Sequence, residues 1–199
     1  CDSNETCVNA AGEFYCGSLP AGFGEDVALE VVDLPYANHA YSSVLSSDGA
    51  YDDGRLEDDG WIAAASDANQ WVLLDVGDAK RVAGVVTKGR EGTPDHVTSF
   101  VVETSIDGTT WTDVDEGSVF PGNSNGNDPK MTIFEAPVTA RYVRIRPQTW
   151  EGSVAMRAGV ILVSIDECSN SSLNDCDPSA TCSDALGSFT CACNGGYSW

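Results

Sequence analysis

Sixteen residues at the start of the chain, Cys1 to Cys16, recur near its end as Cys176 to Cys191. The two copies align without gaps, and eight of the sixteen positions are identical, including all three cysteines. Five residues and then eight separate the cysteines in both copies. This spacing indicates two repeats of one small module whose fold depends on disulfides.

All eight cysteines lie in the end segments, and residues 17–167 contain none. The long middle can bury its own core, whereas the short ends need covalent staples. A zinc site is the alternative for clustered cysteines, but the chain has no CxxC pair and both histidines are distant in sequence. Disulfides indicate an oxidising compartment, so we predict a secreted protein that is extracellular or at the cell surface.

The charge of the chain limits its partners. It has 31 acidic and 10 basic residues, a formal net charge of −21. Such a field repels phosphate backbones and anionic lipid heads, which excludes nucleic acid and disfavours membrane docking. Two explanations of the carboxylates stay open: solubility, and calcium binding. Glycosylation sequons at Asn4 and Asn170, both in the cysteine-rich ends, predict glycans there.

The middle of the chain shows short β-rich runs divided by turns. The runs are 71–76, 82–87, 99–104, 111–114, 131–134, 141–145 and 159–164. Turn sequences occur at Asp107-Gly108, in the segment 121–128 and at Pro137. Because no window has a helical apolar period, we predict an all-β antiparallel sandwich or barrel.

The large apolar residues of these segments predict the core, which we expect in or near Trp61, Trp71, Phe100, Val143 and Ile145. Alternation along residues 141–146 places Val143 and Ile145 on one face, and Tyr142, Arg144 and Arg146 on the other. We interpret those arginines as neutralising nearby acids.

A series of short motifs carries a more specific signal. In order they are Arg55-Leu56, Gly60-Trp61-Ile62-Ala63, Asn69-Gln70-Trp71 with Asp75-Val76-Gly77, Lys88-Gly89-Arg90, Val97-Thr98-Ser99-Phe100, Ser105-Ile106-Asp107-Gly108 with Trp111, Phe120-Pro121-Gly122-Asn123, Ala140-Arg141-Tyr142-Val143-Arg144-Ile145, and Trp150 with Met156-Arg157. These motifs resemble the discoidin family, also known as the coagulation-factor type C domain. The resemblance implies a jelly-roll-like β-sandwich over residues 17–163, with a recognition surface on the loops at one end.

The cysteines near the end resemble the first five of an epidermal-growth-factor-like (EGF-like) module. The resemblance implies an incomplete module over residues 164–199 and a partial one over residues 1–16. Family connectivity then implies the disulfides Cys168–Cys182, Cys176–Cys191 and Cys1–Cys16, and leaves Cys7 and Cys193 to other partners.

Calcium is the cofactor that this second resemblance implies. Calcium-binding members carry Asp-x-Asp-Glu before the first cysteine and Asn or Asp two residues after the third. By that pattern Glu167 and Asp184 would bind through side chains and Ile165 through its carbonyl oxygen. Hard oxygen ligands of this kind suit calcium. Ser164 replaces the first acidic ligand, and a module that keeps the pattern without the ion is the alternative.

No catalytic motif is present, and acid pairs such as Asp52-Asp53 lie in a turn-rich acidic stretch, so we predict that the chain is not an enzyme. Two functions remain. The first is structural: a multi-module segment of a matrix or filament, bound to neighbouring copies or other matrix proteins. The second is carbohydrate binding by a lectin-like module, with contacts at His39, Asp53, Arg90 and His96. The polar loops argue against membrane insertion.

Overall fold

The computed structural model describes residues 6–10, 13–17, 19–23, 27–46, 51–165, 168, 176–177, 180–185 and 188–193. It contains thirteen strands: β1 Thr6–Ala10, β2 Glu13–Gly17, β3 Val27–Val32, β4 His39–Tyr41, β5 Trp61–Ile62, β6 Val72–Lys88, β7 His96–Ser105, β8 Thr112–Asp113, β9 Phe120–Pro121, β10 Lys130–Glu151, β11 Ala155–Ile165, β12 Ala180–Ala185 and β13 Ser188–Cys193. Short 3-10 turns are the helical elements of the described residues, and none of these has the length and hydropathy of a membrane span.

The middle of the chain is an all-β antiparallel sandwich, as predicted. Two long strands, β6 and β10, pass from one layer into the other. In one layer the first part of β6 pairs with β4 and with the end of β10, which continues to β7 and β8. In the other layer the second part of β6 pairs with β11 and with the start of β10, and β11 pairs with β3.

The core lies between the two layers. Trp61, Phe100, Val143 and Ile145 are each 0% exposed, as expected from the sequence, and Trp71 is half-buried. The predicted alternation along β10 is confirmed. Val143 and Ile145 are buried in the core, whereas Arg144 and Arg146 are partly exposed on the opposite face of the strand. A second apolar cluster covers the outer face of the β3–β11–β6 layer: Phe23, Leu29, Leu56, Ala83, Val86 and Ile161.

Two of the expected boundaries differ from the structure. The runs 71–76 and 82–87 form one strand, and so do the runs 131–134 and 141–145. Strand β10 continues through Pro137. Its pairing with β6 has a register shift between Ile133 and Val138, so Pro137 stands where the regular ladder is interrupted. Proline has no N–H to donate, and an irregularity in the ladder removes the need for one.

Both cysteine-rich ends contain an antiparallel hairpin. The opening hairpin consists of β1 and β2, and β1 also pairs in parallel with β3 of the sandwich, at Val8↔Leu29 and Asn9↔Glu30. In the closing hairpin β12 pairs with β13. The disulfides Cys168–Cys182 and Cys176–Cys191 link this module, and they are the two pairs that family connectivity implied.

Candidate functional site

Several loops meet at one end of the sandwich, which we call the loop end. It comprises residues 51–60, 88–95, 122–128 and 151–157. The strand register explains the convergence: Lys130 at the start of β10 pairs with Thr87, and Glu151 at its end pairs with His96. The ends of three strands therefore lie together, and their connections form one surface.

Arg157 holds these loops together from inside. Its side chain is almost completely buried, at 4% exposed. Its guanidinium donates to the carbonyl oxygens of Gly89 at 2.8 Å and Gly126 at 2.9 Å. It also donates to those of Leu56 at 3.3 Å and Asp58 at 3.1 Å. Burial lowers the pKa of Arg157, opposed by nearby carboxylates. One cation thus fixes three loops through their backbones.

The loop 122–128 is tied to the loop 88–95 by a second set of contacts. Asn123 is buried, and its amide nitrogen donates to the carbonyl oxygens of Thr87 and Asp128, both at 2.9 Å. The Gly92 N–H donates to the side chain of Asn127 at 3.0 Å. A Cβ at Gly126 would lie 2.2 Å from the carbonyl oxygen of Arg90, so this approach requires glycine. The loop end is therefore preorganised.

The acidic loop 51–60 is organised by Arg55. Its guanidinium donates to both carboxylate oxygens of Asp53, at 2.6 Å from Nη2 and 2.9 Å from Nε, and to Asp58 at 2.5 Å. Hydrogen bonding from Arg55 lowers the pKa of Asp53. Of the four predicted ligand contacts, Asp53 is therefore already engaged by a cation within its own loop.

The other three predicted ligand contacts have different surroundings. His39 is half-buried, with Nδ1 3.2 Å from the carbonyl oxygen of Pro35 and Nε2 3.3 Å from that of Ala158. Arg90 is partly exposed, and its guanidinium lies 5.4 Å from the centre of the Tyr51 ring. His96 is only 3% exposed and contacts the carbonyl oxygen of Pro94 at 2.6 Å. Its burial gives it a packing role, so the expectation that His96 contacts a ligand lacks support.

Two tyrosines, Tyr36 and Tyr41, contact the acidic loop 51–60. The Tyr36 hydroxyl donates to Asp52 at 2.6 Å, and this hydrogen bond raises the pKa of Tyr36. Tyr36 is 48% exposed. Tyr41 is stacked on Trp61 with ring centres 5.4 Å apart, and its hydroxyl accepts from the Gly54 N–H at 2.8 Å. These tyrosines were not predicted as site residues, although Tyr36, Tyr41 and Tyr51 recur just before or at the start of the acidic loop in the sequence.

The loop end has a strong acidic excess. Its nine carboxylates and four basic side chains are Asp52, Asp53, Glu57, Asp58, Asp59, Glu91, Asp95, Asp128, Glu151, Arg55, Lys88, Arg90 and Arg157. Glu57, Glu91 and Glu151 are each more than 60% exposed. The surface therefore favours neutral or cationic partners over anionic ones.

The arginines of β10 form a separate cluster on the outer face of the β10–β7 layer. Arg144 donates to Glu103 at 2.6 Å, and Arg146 donates to the same carboxylate at 3.0 Å. Arg144 also stacks on Trp111, 3.8 Å from the ring centre. Glu103 is 11% exposed at its side chain. These contacts agree with the interpretation of the arginines as partners of nearby acids.

The far end of the sandwich holds a shallow groove of about 550 Å³ between the turn after β7 and Val138 of β10. The acid in it, Asp107, accepts hydrogen bonds from the N–H groups of Thr109 and Thr110 at 2.8 and 2.7 Å. These bonds lower the pKa of Asp107. The carboxylate caps the turn and is not set up for acid–base chemistry.

The predicted calcium ligands are only partly within the described residues. Glu167 lies outside them, and Ile165 and Asp184 are described by their backbones alone. Within the residues that are described, no group of three or more His, Cys, Asp or Glu side chains is placed to hold a metal ion. Asn4, Asn170 and Cys1 also lie outside the described residues, so the glycans and the Cys1–Cys16 disulfide stay predictions.

Two known family models match this chain. The family model "F5/8 type C domain" matches residues 37–160, which is more than half of the chain. The chain belongs to the F5/8 type C domain family. A second model, "Calcium-binding EGF domain", matches residues 164–198. Domains of the first family are generally non-catalytic binding modules, and the two together indicate an extracellular or cell-surface protein with an adhesion or binding role.

Curated relatives are similar over the same region. Lactadherin of Bos taurus is 36% identical over 118 residues, which cover 54% of this chain and 28% of lactadherin. The human EGF-like repeat and discoidin I-like domain-containing protein 3 is 33% identical over 116 residues, covering 55% and 24%. The chain thus matches less than a third of the length of these relatives.

Solved structures confirm the fold. Wild-type discoidin II from Dictyostelium discoideum matches with a TM-score of 0.57 at 22% identity, covering 77% of this chain and 63% of that one. The family 32 carbohydrate-binding module of NanJ from C. perfringens, in complex with galactose, matches with a TM-score of 0.51 at 19% identity, covering 67% and 98%. At these identities the likeness concerns the fold alone.

Proposed function

We propose that this chain is a structural segment of an extracellular matrix or filament, in which consecutive modules join through continuous β-structure and no catalysis takes place. The observation that carries the proposal is the parallel pairing of β1 with β3. Through it the opening cysteine hairpin and the sandwich share one sheet instead of forming separate beads. A joint made of backbone hydrogen bonds resists bending, which suits a load-bearing chain.

The composition of the loop end favours a polar binding partner over a lipid membrane. The large apolar side chains that are exposed in the described residues are Tyr36, Leu45, Ile106 and Val119, and none of them belongs to the residues of the loop end. The acidic excess repels anionic lipid heads. These features favour protein or sugar contacts over membrane insertion.

In this proposal, a bound calcium ion would make the connection between the sandwich and the closing EGF-like module more rigid. The Cys168–Cys182 disulfide holds the two Cα atoms 5.6 Å apart. Glu167 precedes the first of these cysteines and Asp184 is two residues after the second. Since a residue extends at most about 3.6 Å, the staple is short enough for both acids to reach the end of β11, where Ile165 would add its carbonyl oxygen. An ion bound there would link the sandwich to the closing module.

Sedimentation velocity of the native protein tests the structural role. We expect assemblies much larger than the 21.0 kDa of this chain, which shrink when calcium is chelated or disulfides are reduced. A single discrete species near that mass, with Cys7 and Cys193 as free thiols, would refute the proposal.

The second candidate is carbohydrate binding at the loop end. The observation that favours it is the presence of exposed Tyr36 and of partly exposed Tyr51 and Arg90, whose planar polar groups can stack on sugar rings and hydrogen-bond to sugar hydroxyls. A glycan array of the parent chain, Arg90→Ala and the exposed control Arg81→Ala tests it. Binding that is lost only in Arg90→Ala supports a lectin function, and no binding by the parent chain rejects it.

A further inference from the structure

We propose that Asn125 is a site of spontaneous deamidation, and that the loop end changes its charge and its internal contacts when this reaction takes place. The reaction converts the side-chain amide of an asparagine into a carboxylate, and water is its only co-reactant. The proposal goes beyond the proposed function, because it concerns a chemical change of the loop 122–128 and involves neither assembly nor sugar binding. Its outcome is therefore independent of both.

Asn125 is followed by a glycine, which is the residue that obstructs this reaction least. The nitrogen of residue 126 must approach Cγ of the asparagine side chain, and Gly126 has no Cβ in the way. The sequence has two Asn-Gly pairs, Asn125-Gly126 and Asn194-Gly195, and the first lies within the described residues. Asn125 is partly exposed, so water can reach its side chain.

Three hydrogen bonds hold the amide of Asn125. Its Oδ1 accepts from the N–H groups of Asn127 and Asp128, both at 2.8 Å. Its Nδ2 donates to the carboxylate of Asp128 at 2.7 Å. Donors on one side and an acceptor on the other identify the oxygen and the nitrogen of this amide. The hydrogen bond from Asn127 closes a ring of atoms that includes both Cγ of Asn125 and the nitrogen of Gly126. The side chain is therefore folded back over the peptide bond at which the reaction occurs.

These contacts suit the first step of the reaction. The Gly126 nitrogen loses its proton to water and bonds to Cγ of Asn125, which moves an electron pair onto Oδ1. Two N–H groups already point at this oxygen and stabilise its negative charge, as an oxyanion hole does. Within the described residues the Gly126 N–H donates no hydrogen bond, so none has to break before its proton leaves.

Ammonia leaves in the second step and water enters in the third. The Cγ–Nδ2 bond breaks, Nδ2 takes up a proton from water, and a five-membered succinimide ring remains. Water then opens the ring at one of its two carbonyl carbons. One opening gives aspartate at position 125, and the other gives isoaspartate, in which the main chain runs through the former side chain.

Either product disturbs the ties of the loop end. The new carboxylate faces that of Asp128, where the amide donated a hydrogen bond, so repulsion replaces attraction. Isoaspartate also adds one carbon to the main chain before Gly126, whose carbonyl oxygen accepts from Arg157 at 2.9 Å. This glycine is packed closely, since a Cβ there would lie 2.2 Å from the carbonyl oxygen of Arg90. We therefore expect the product to loosen the loop 122–128 from the loop 88–95.

Peptide mapping of the full chain after incubation at neutral pH measures the reaction at each asparagine. Deamidation raises the mass of a peptide by about 1 Da, and fragment ions distinguish isoaspartate from aspartate. The reference is the same chain unfolded in urea, which keeps the sequence and removes the loop contacts. We expect Asn125 to react about tenfold faster in the folded chain, which is less than a donor in a dry active site supplies. Asn123, which is buried and precedes a serine, should stay intact in the folded chain.

A matched pair of variants tests the two N–H donors. Asn127→Pro removes one N–H that Oδ1 accepts from, whereas Asn127→Ala keeps that N–H and loses only the side chain. We expect the proline variant to react about tenfold more slowly than the alanine variant. Tryptophan fluorescence, which reports the buried Trp61, checks that both are folded. The comparison of folded with unfolded parent chain does not depend on either variant.

The consequence for the loops is tested with Asn125→Asp, which has the side chain of one product. Its charge-matched control is Ser124→Asp, at an exposed neighbouring position. We expect hydrogen exchange of the loop 88–95 to be about tenfold faster in Asn125→Asp than in the control.

Three results would overturn the proposal. The first is a reaction at Asn125 that is no faster in the folded chain than in urea, because the fold would then give no assistance. The second is an equal rate in folded Asn127→Pro and Asn127→Ala. The third is equal exchange in Asn125→Asp and Ser124→Asp, since the new carboxylate would then leave the loop contacts intact.

Discussion

Replacing Arg157 with methionine should destabilise the sandwich more than any change at its surface. The substitution keeps an unbranched apolar stem but removes the guanidinium donor of four carbonyl oxygens, at Leu56, Asp58, Gly89 and Gly126. Of these, Leu56 keeps a second donor, the Nζ of Lys88 at 3.2 Å. Losing one hydrogen bond to a charged partner costs about 1.5 to 3 kcal/mol, and four bonds to one group are not additive. Removing a buried charge returns part of this cost. We expect the free energy of unfolding to fall by about 4 kcal/mol.

Urea unfolding followed by tryptophan fluorescence measures this loss. With a slope of about 2 kcal/mol per molar urea, the midpoint should fall by about 2 M. Arg81→Met is the matched control, because Arg81 is exposed on β6 and its replacement should change stability by less than about 0.5 kcal/mol. Hydrogen exchange should also accelerate in the loops 51–60, 88–95 and 122–128. Equal midpoints for the two variants would refute the role of Arg157 as the tie between the loops.

Three further predictions concern other groups. Glu103→Ala should lower the free energy of unfolding by about 2 kcal/mol in the same assay, since two arginines share that carboxylate; an unchanged value would contradict the pairing. Hydrogen bonding from Arg141, at 2.9 Å, lowers the pKa of Asp75 from its ordinary 3.8. The stability from this pair is therefore present above pH 3.8 and lost as the pH falls through the lower folded-state value. Unfolding measured against pH should show a shallower acid limb in Asp75→Asn, and identical limbs would count against the pair. Calorimetric titration with calcium should show binding that Glu167→Ala weakens; equal heats in both chains would reject that ligand.

The strands of the middle could be read from the sequence because their apolar residues alternate. Phe100, Val143 and Ile145 each lie on a run whose period matches a half-buried strand, and all three are buried. The joining of two runs into β10 could not be read, since Pro137 is normally a sign of a strand end. Only the register shift beside it, a property of the paired strands, shows that the ladder continues.

The loop end could be predicted only in outline. The polar loops were visible, but the tie between them was not, because Arg157 acts through backbone oxygens that are 31 to 101 positions away in the sequence. An arginine within the apolar run 154–163 was the available signal. His96 differs from Arg157: we predicted it as a ligand contact, and the packing of β7 buries it, so that contact stays a prediction without support from the structure.

The repeated cysteine segment was the strongest feature of the sequence, but the pairing of the opening hairpin with the sandwich could not be predicted from it. β3 has no strict alternation of apolar and polar residues, and it was not among the predicted runs. Its status as a strand depends on β11 and β1 beside it. Contacts between an edge strand and a module more than ten residues away are set by the tertiary structure rather than by local pattern.

Electron microscopy of the native material tests the structural role most directly. The account predicts elongated particles with a regular repeat, each repeat holding one sandwich with a cysteine hairpin continuing its sheet. Isolated globular particles of the size of a single 21.0 kDa chain, unchanged by added calcium, would contradict it.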